Sequence, residues 1–543
     1  MKRKGKDRRC DVFDILIKNG WVIDGSGAAG FRADVAIRKG HIADVSLLAA
    51  AEATTVVDAA GLVVAPGFID MHSHADFSLP VCPTAESLVH QGITTAVVGQ
   101  CGFSPAPLLK ETREPLIRMM EASLGRSGER LPWERWTGFE TFLEDLSRIG
   151  TSLNVVPLVG QGTVRAGIMG FGPGPASAEQ RSRMTAAVAR AMDEGAFGLS
   201  TGLIYPPGSF TRADEIAAIA RPVGDRGGIY FSHIRGEADT LLAAISEAIR
   251  IGRDSGAAVQ ISHFKVAGRK NWDTVERALA LIDEARAEGL DVTSDLYPYL
   301  AGSTGLSALL PQWAHEGGKE AILERLADPE VRARMSASMQ SEGFAKDMEW
   351  DRVLISFAPG KEEYQGRDVA ELSQEQGKSP HEWIFDALLE TGLRANMVTF
   401  MMSEENRTRE LRHPAMMIGT DGMGYALSGA MSQGLPHPRN YGTFPRILGH
   451  YVREAKVISL EEAIWKMTGF PARKLRLPDR GLVKKGNWAD LTLFDPERVT
   501  EKATYLSPHQ YPEGIPHVLV RGVFVVRDGV HTGARPAGAL LRP

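Results

Sequence analysis

Apolar and polar positions alternate in short runs at both ends of the chain and follow a different rhythm between them. Asp14-Ile-Leu-Ile-Lys-Asn-Gly-Trp-Val-Ile-Asp-Gly places two strand-like runs around Asn19-Gly20. Asp34-Val-Ala-Ile-Arg-Lys-Gly-His-Ile-Ala-Asp-Val repeats the pattern around Lys39-Gly40. A turn dipeptide between alternating runs predicts a hairpin. Asp490-Leu-Thr-Leu-Phe-Asp and His517-Val-Leu-Val-Arg-Gly-Val-Phe-Val-Val-Arg-Asp-Gly echo it near the C-terminus. In the middle, wholly apolar runs alternate with stretches of helical period, as βαβ units on a parallel sheet do. The runs are Val63–Met71, Thr94–Gly99, Asn154–Val159, Phe197–Thr201, Ile229–His233, Val259–His263, Asp291–Tyr297 and Met416–Thr420. Ala178–Glu194 reads as a helix stopped by Gly195.

About eight strand–helix units predict an α/β fold, a (β/α)8 TIM barrel. Strands at both ends predict a small β-sandwich domain formed by the two termini. The expected division is 10–62 for its first part, 63–475 for the barrel and 476–543 for its second part. Between barrel strands seven and eight lies an overlong connection, about 301–414, read as an insertion that walls the site. It carries a helix (Lys319–Met339), a strand (Val353–Phe357) and a further helix (Pro380–Thr391). Gly167-Ile-Met-Gly-Phe-Gly-Pro-Gly-Pro is read as a plain loop, because its prolines remove the amides a phosphate cradle needs.

Composition narrows the classes. Of 543 residues 43% are apolar and 24% charged, and the net charge of −5 gives no global basic field for nucleic acid. Three cysteines, Cys10, Cys82 and Cys101, do not make a disulfide framework and point to a reducing, cytoplasmic setting. No apolar run approaches the roughly 18 residues of a membrane helix. The basic start lacks the apolar stretch of a secretory signal and reads as a cationic tail.

The candidate chemistry gathers at strand ends. His72 and His74 follow an apolar run in Gly67-Phe-Ile-Asp-Met-His-Ser-His-Ala-Asp, and residues two apart on a strand face one side. His233 ends Ile229-Tyr-Phe-Ser-His and His263 ends Val259-Gln-Ile-Ser-His, so four imidazoles reach the barrel rim where such enzymes keep their chemistry. A lone cysteine is usually a small core hydrophobe. Cys101, following the second strand among those imidazoles, is read as a thiolate metal ligand instead. Asp421 follows the last strand, and a carboxylate beside a metal-activated water is the general base of metal-assisted hydrolysis. Asp76 is open between a supporting role and a loop residue. Cys82 and Cys10 have no such company.

These residues resemble the amidohydrolase superfamily. That pattern normally carries a bridging lysine on strand four, which Gly198-Leu-Ser-Thr-Gly-Leu-Ile-Tyr-Pro-Pro-Gly does not offer. The departure resembles the D-aminoacylase (N-acyl-D-amino-acid deacylase) family, where a cysteine supplies the bridge. Gly99-Gln-Cys-Gly-Phe-Ser-Pro-Ala-Pro, Ser200-Thr-Gly-Leu-Ile-Tyr-Pro-Pro-Gly, Ser262-His-Phe-Lys, Ser294-Asp-Leu-Tyr-Pro-Tyr and His437-Pro-Arg-Asn-Tyr-Gly-Thr-Phe-Pro-Arg carry it over nearly the whole chain.

The resemblance implies zinc held tightly by Cys101, His233 and His263, with a second, weaker position at His72, His74 and Cys101 near Asp421. It implies hydrolysis of an N-acyl-D-amino acid, with Asp421 as base and His72 or Tyr205 among the oxyanion donors. Lys265, Tyr297 and Arg439 are placed around the substrate carboxylate, with Ser303 close by. Acidic side chains would need an extra cation after Tyr297-Pro-Tyr. Ala301-Gly-Ser-Thr-Gly-Leu-Ser-Ala-Leu-Leu has none, so neutral or apolar side chains are expected. The rival readings are a cyclic-amide or other amide hydrolase on the same centre, and a barrel scaffold without chemistry. The expected partner is a small molecule, with no nucleic acid and no membrane; an oligomer is allowed. The apolar loop 422–436 is expected to sit over the site.

Overall fold

The computed structural model describes residues 12–48, 51–108, 113–114, 116–117 and 131–540; the basic start and Cys10 lie outside the described residues. At the centre of the described residues run eight parallel strands: β1 (Phe68–Asp70), β2 (Ile93–Val98), β3 (Asn154–Pro157, resumed as Val159–Gly160), β4 (Gly198–Gly202), β5 (Ile229–His233), β6 (Ala258–Ile261), β7 (Val292–Leu296) and β8 (Met416–Ile418). Each pairs in parallel with the next. The ring closes where Met71 N donates to Ile418 O at 3.2 Å and Ser73 bridges Gly422. The result is a TIM-barrel-type fold. Its strands are short and almost wholly buried, which is why they read as continuous apolar runs. Ile69, Met71, Val97, Val156, Phe231 and Met417 pack in one cluster.

Helix α1 (Ala178–Asp193) forms as its sequence predicts. Ser177 Oγ caps Gln180 N while the Gln180 side chain returns to Ser177 N, and Gly195 takes φ 115° just past the end. In Gly167-Ile-Met-Gly-Phe-Gly-Pro-Gly-Pro the first three residues instead end a helix, α2 (Gln161–Met169), and the irregular chain starts at Gly170.

Strands from both chain ends share one sheet of nine strands among the described residues. Lys39-Gly40 makes the expected hairpin between Phe31–Arg38 and His41–Ser46. Asn19-Gly20 does not. Phe13–Val22 runs straight through it, the register slips between Ile17 and Gly20, and Asn19 sits at φ 62° with its N–H on Asp34 Oδ1. The partner strand pairs with both halves of this run, so the dipeptide absorbs a bulge instead of reversing the chain.

The run Val63–Met71 is also divided. Val63–Pro66 pairs antiparallel with Leu491–Phe494 in the terminal sheet, and only Phe68–Asp70 enters the barrel. Gly67 is the joint, where a Cβ would lie 2.2 Å from the Thr94 side chain. Pattern alone hides this change of sheet, because both halves are buried.

Between β7 and β8 the chain builds a three-stranded antiparallel sheet, with Asn396–Phe400 central between Ala301–Gly305 and Val353–Phe357. Leu306, Met335, Ile355, Trp383, Phe385 and Met397 form its own apolar cluster. The single helix expected over Lys319–Met339 is two, Lys319–Ala327 and Pro329–Ser341. Asp328 ends the first and caps the second by accepting from Glu330 N and Val331 N, and Pro329 suits a first helical position. The expected helix at Pro380 forms over Pro380–Glu390. No helix among the described residues is long and apolar enough to cross a membrane.

Candidate metal centre

The backbone just beyond the strand ends is bent to aim side chains inward. Cys101, His263 and Asp421 adopt φ of 53°, 37° and 50°, a region that non-glycine residues seldom occupy and that clusters at functional sites. Neighbouring groups hold each bend. Ser200 Oγ on β4 accepts from Gly102 N (3.0 Å) and donates to Gly99 O (2.5 Å), clasping the Cys101 turn from both sides. Gly202 lets that turn approach, since a Cβ there would meet Cys101 O at 2.1 Å. Asp421 N donates to His72 O (2.7 Å), and His263 N to Asp295 Oδ1 (2.8 Å). Asp70 accepts from His72 N, Thr420 N and Thr420 Oγ1, tying β1 to β8. Burial pushes the Asp70 carboxyl up to about 7.

The five predicted ligands converge. Cys101 Sγ lies 3.4 Å from His72 Nε2, 3.5 Å from His233 Nδ1 and 3.6 Å from His263 Nε2. Two groups of donor atoms share the sulfur: Cys101, His233 and His263, and His72, His74, Cys101 and Asp421. Ligands about 2.0–2.3 Å from one tetrahedral ion stand roughly 3.4–3.7 Å apart, so the sulfur–nitrogen distances fit a divalent metal ion. His233 Nδ1 and His263 Nε2 are closer, at 2.9 Å.

Electrostatics favour the same occupant. Burial and the nearby Asp421 push the Cys101 thiol well up. Burial and the neighbouring His263 hold His233 well below the usual imidazole range, so it presents a neutral lone pair. A divalent cation is what converts such a thiol to thiolate.

Two carboxylates behind the ligands were not singled out in the sequence. Glu237 Oε1 lies 3.3 Å from His263 Nδ1, 3.7 Å from His233 Nε2 and 2.6 Å from Lys265 Nζ. Asp295 Oδ1 lies 3.5 Å from His72 Nδ1. The ring nitrogens turned away from the sulfur therefore face carboxylates, the arrangement that fixes tautomer and orientation in metal-binding histidines. Burial works to raise the Glu237 carboxyl, but Lys265, His233 and His263 outweigh it and hold it well below the usual range. Asp295 stands inside the Ser294-Asp-Leu-Tyr block. The signal for Glu237 was its place four residues past His233 on the loop after β5.

Asp421 Oδ1 lies 3.2 Å from His74 Nε2 and 3.5 Å from His72 Nε2, and its Oδ2 is 2.9 Å from Arg439 Nη1. Burial alone would raise this carboxyl. Arg439, His263, His74 and His72 outweigh it and hold it well below the carboxylate range, so it stays ionised. Arg439 also donates from Nη2 to Ser303 O (3.3 Å). The Tyr297 ring is the hub of the expected carboxylate anchors, with Arg439 at 4.7 Å and Lys265 at 5.7 Å from its centroid. Lys265 Nζ also sits 2.7 Å from His263 Nδ1, and Glu237 accepts between them. Ser303 thus joins the group through its carbonyl. Tyr205 lies edge-on to His233, with its hydroxyl 3.0 Å from Thr304 Oγ1.

Asp76 is buried two residues beyond His74, and burial pushes its carboxyl up to about 7. Cys82 is buried away from the donors, in a cluster with Tyr425 and Met431 of the 422–436 loop. Met423 and Tyr425 of that loop line the cavity over the site. The cavity measures about 1600 Å³ and reaches from His74, Cys101 and Asp421 to the 301–400 unit.

Comparison with known proteins places this geometry. The sequence matches the Amidohydrolase family over residues 55–526. It is 35% identical to a D-aminoacylase of Alcaligenes xylosoxydans xylosoxydans, covering 98% of each chain. It is 36% identical to an N-acyl-D-glutamate deacylase of the same organism, covering 95% of this chain and 94% of the relative. Among solved structures it resembles N-acyl-D-glutamate deacylase from Bordetella bronchiseptica, complexed with zinc and a phosphonate inhibitor that mimics the tetrahedral intermediate. The TM-score is 0.82 at 34% identity, over 98% of this chain and all of that one.

Proposed function

Because the chain belongs to the amidohydrolase family and, within it, to the N-acyl-D-amino-acid deacylases, we propose that it is a zinc-dependent hydrolase that releases a free D-amino acid and a carboxylate from an N-acyl-D-amino acid. The observation that carries this is Asp421, an ionised carboxylate within 3.2–3.5 Å of His74 and His72 at the edge of the sulfur–imidazole cluster. Cys101, His233 and His263 would hold one zinc ion tightly, and His72, His74 and Cys101 a weaker second. Bound zinc would supply polarisation of the scissile carbonyl and a lowered pKa for water.

The chain's own groups do the rest. Asp421 takes a proton from the attacking water and returns it to the leaving amine. Tyr205, or His72 with the weaker metal position empty, donates toward the developing oxyanion. Arg439 and Lys265, arrayed about Tyr297, bind the α-carboxylate; Arg439 exchanges its contact with Asp421 for the substrate, as its forked guanidinium suits. Ser303 closes this end of the site.

Neutral or apolar side chains fit best. Gly302, Ser303, Thr304 and Gly305 present no cation to the cavity. Of the other cations that line it, Arg235 is engaged by Glu247, Arg269 by Glu349, and Lys270 by Asp239 and Asp347. The terminal sheet is read as one β-sandwich domain from 10–62 and 476–543, the barrel as 63–475, and the 301–414 segment as a separate wall. The few free thiols suit a reducing, cytoplasmic setting.

The test is a panel with zinc measured alongside: N-acetyl-D-leucine, N-acetyl-D-glutamate, N-acetyl-L-leucine and hydantoin. Hydrolysis of the D-leucine derivative at least tenfold faster than the others is expected. Ring opening of hydantoin alone would return the reading to cyclic amides. Preference for D-glutamate would overturn only the side-chain assignment.

A further inference from the structure

The cavity is larger than an N-acetylated amino acid needs. At about 1600 Å³ it exceeds the roughly 300–1,000 Å³ of ordinary ligand pockets. Its shape can be divided by the chemistry of the substrate. The carboxylate anchors Lys265, Tyr297 and Arg439 follow β6, β7 and β8. Cys101 follows β2, four strands round the ring from β6 and three from β7. A planar trans amide directs its two substituents to opposite sides of the C–N bond. With the α-carboxylate held beside Tyr297 and the carbonyl at the sulfur–imidazole cluster, the acyl group leaves toward β2, β3 and β4.

That side is apolar. Phe103 follows Cys101, Ile204 follows β4, and Phe171 follows α2; all three line the cavity. The 301–400 unit completes the wall with Leu309 and Trp313. Two contacts seat it there: Gly317 N donates to Phe171 O at 3.3 Å, and Tyr205 OH meets Thr304 Oγ1 at 3.0 Å. Leu309 belongs to that unit's own apolar cluster, so its core opens onto the cavity.

We propose that Phe103, Phe171, Ile204, Leu309 and Trp313 form an acyl chamber and that the enzyme acts on N-acyl-D-amino acids with a medium-length aliphatic acyl chain. This rests on the deacylase reading and names the other half of its substrate. Each methylene taken from water into such a wall is worth up to about fourfold in transition-state binding.

The experiment measures kcat/KM for N-acetyl-, N-butanoyl- and N-octanoyl-D-leucine. The expected result is a rise of at least tenfold from acetyl to octanoyl. Ala308→Trp adds bulk at a partly exposed position beside Leu309 and is expected to lower the octanoyl-to-acetyl ratio at least tenfold. A flat or falling series with the wild-type enzyme overturns the chamber while leaving the deacylase reading intact. A rising series whose ratio survives Ala308→Trp, in a variant with unchanged circular dichroism, overturns the placement. Failure to hydrolyse any member, with N-acetyl-D-glutamate also inert, overturns both; if N-acetyl-D-glutamate alone is turned over, the same acyl series on D-glutamate decides. The wild-type series decides alone if Ala308→Trp does not fold.

Discussion

The floor of the site and its outer wall are built on different principles. On the floor, strand ends of the barrel carry the donors, bent residues aim them, and buried carboxylates back them. The wall is a separate unit with its own core, seated on the barrel loops by hydrogen bonds and, along one seam, by charges in water. Lys270 pairs with Asp239 and with Asp347, and Arg269 with Glu349, all of them 43–59% exposed. The floor gives few alternatives to each atom, as the displacement of one proton requires. The wall meets the acyl group and, through Ser303, the carboxylate end, and needs shape and apolar surface. Chemistry is therefore expected to be brittle to single changes on the floor, and the fold indifferent to single changes at the fastening.

The largest expected effect is on turnover. Asp421→Asn keeps the size of the side chain and removes the base. It should lower kcat by about 10³-fold or more with zinc content unchanged, read by steady-state assay and metal analysis on one sample. Activity within tenfold of wild type would break the view that the floor turns on a single carboxylate.

Next is Glu237→Gln, which sharpens the comparison because Glu237 is not among the proposed ligands. Its oxygen faces His263, His233 and Lys265, so the amide would lose the charge that orients all three. Zinc affinity, measured by competition with a chelator, should fall about 10–100-fold. KM should rise as Lys265 loses its fixed position. Unchanged zinc affinity together with a raised KM would confine Glu237 to the lysine and shrink the floor by one residue.

The same contrast explains what could be read from sequence. His72, His74, His233, His263, Cys101 and Asp421 were legible because buried barrel strands are apolar runs, and a polar residue ending such a run has few reasons to be there. The departure at β4 was legible too; on that strand Ser200 grips the Cys101 turn. Glu237 was not, because a glutamate on a loop looks like any solvated charge until the fold turns it inward. Nor was the break at Gly67, since both halves of that run are buried, one in each sheet. Asn19-Gly20 misled for a local reason: its left-handed geometry serves a bulge as well as a turn. The acyl chamber was least legible of all. Phe103, Phe171, Ile204 and Leu309 stand on four separate segments, and only tertiary structure brings them to one cavity.

The smallest expected effect belongs to the fastening, and it tests the other half of the contrast. Lys270→Met removes the cation shared by Asp239 and Asp347 while keeping a similar stem. Exposed pairs give back in side-chain entropy and screening most of what they gain in attraction. The wall has other contacts as well: Gly268 N and Trp272 Nε1 both donate to Met401 O, at 2.9 and 3.1 Å. The melting temperature should move by no more than about 1 °C. kcat/KM for N-acetyl-D-leucine should stay within about threefold of wild type, and the small difference should vanish in high salt. A loss of several degrees, or a tenfold loss of kcat/KM that salt does not erase, would mean that this charged seam holds the wall in register with the floor. The two regions would then have to be treated as one structure.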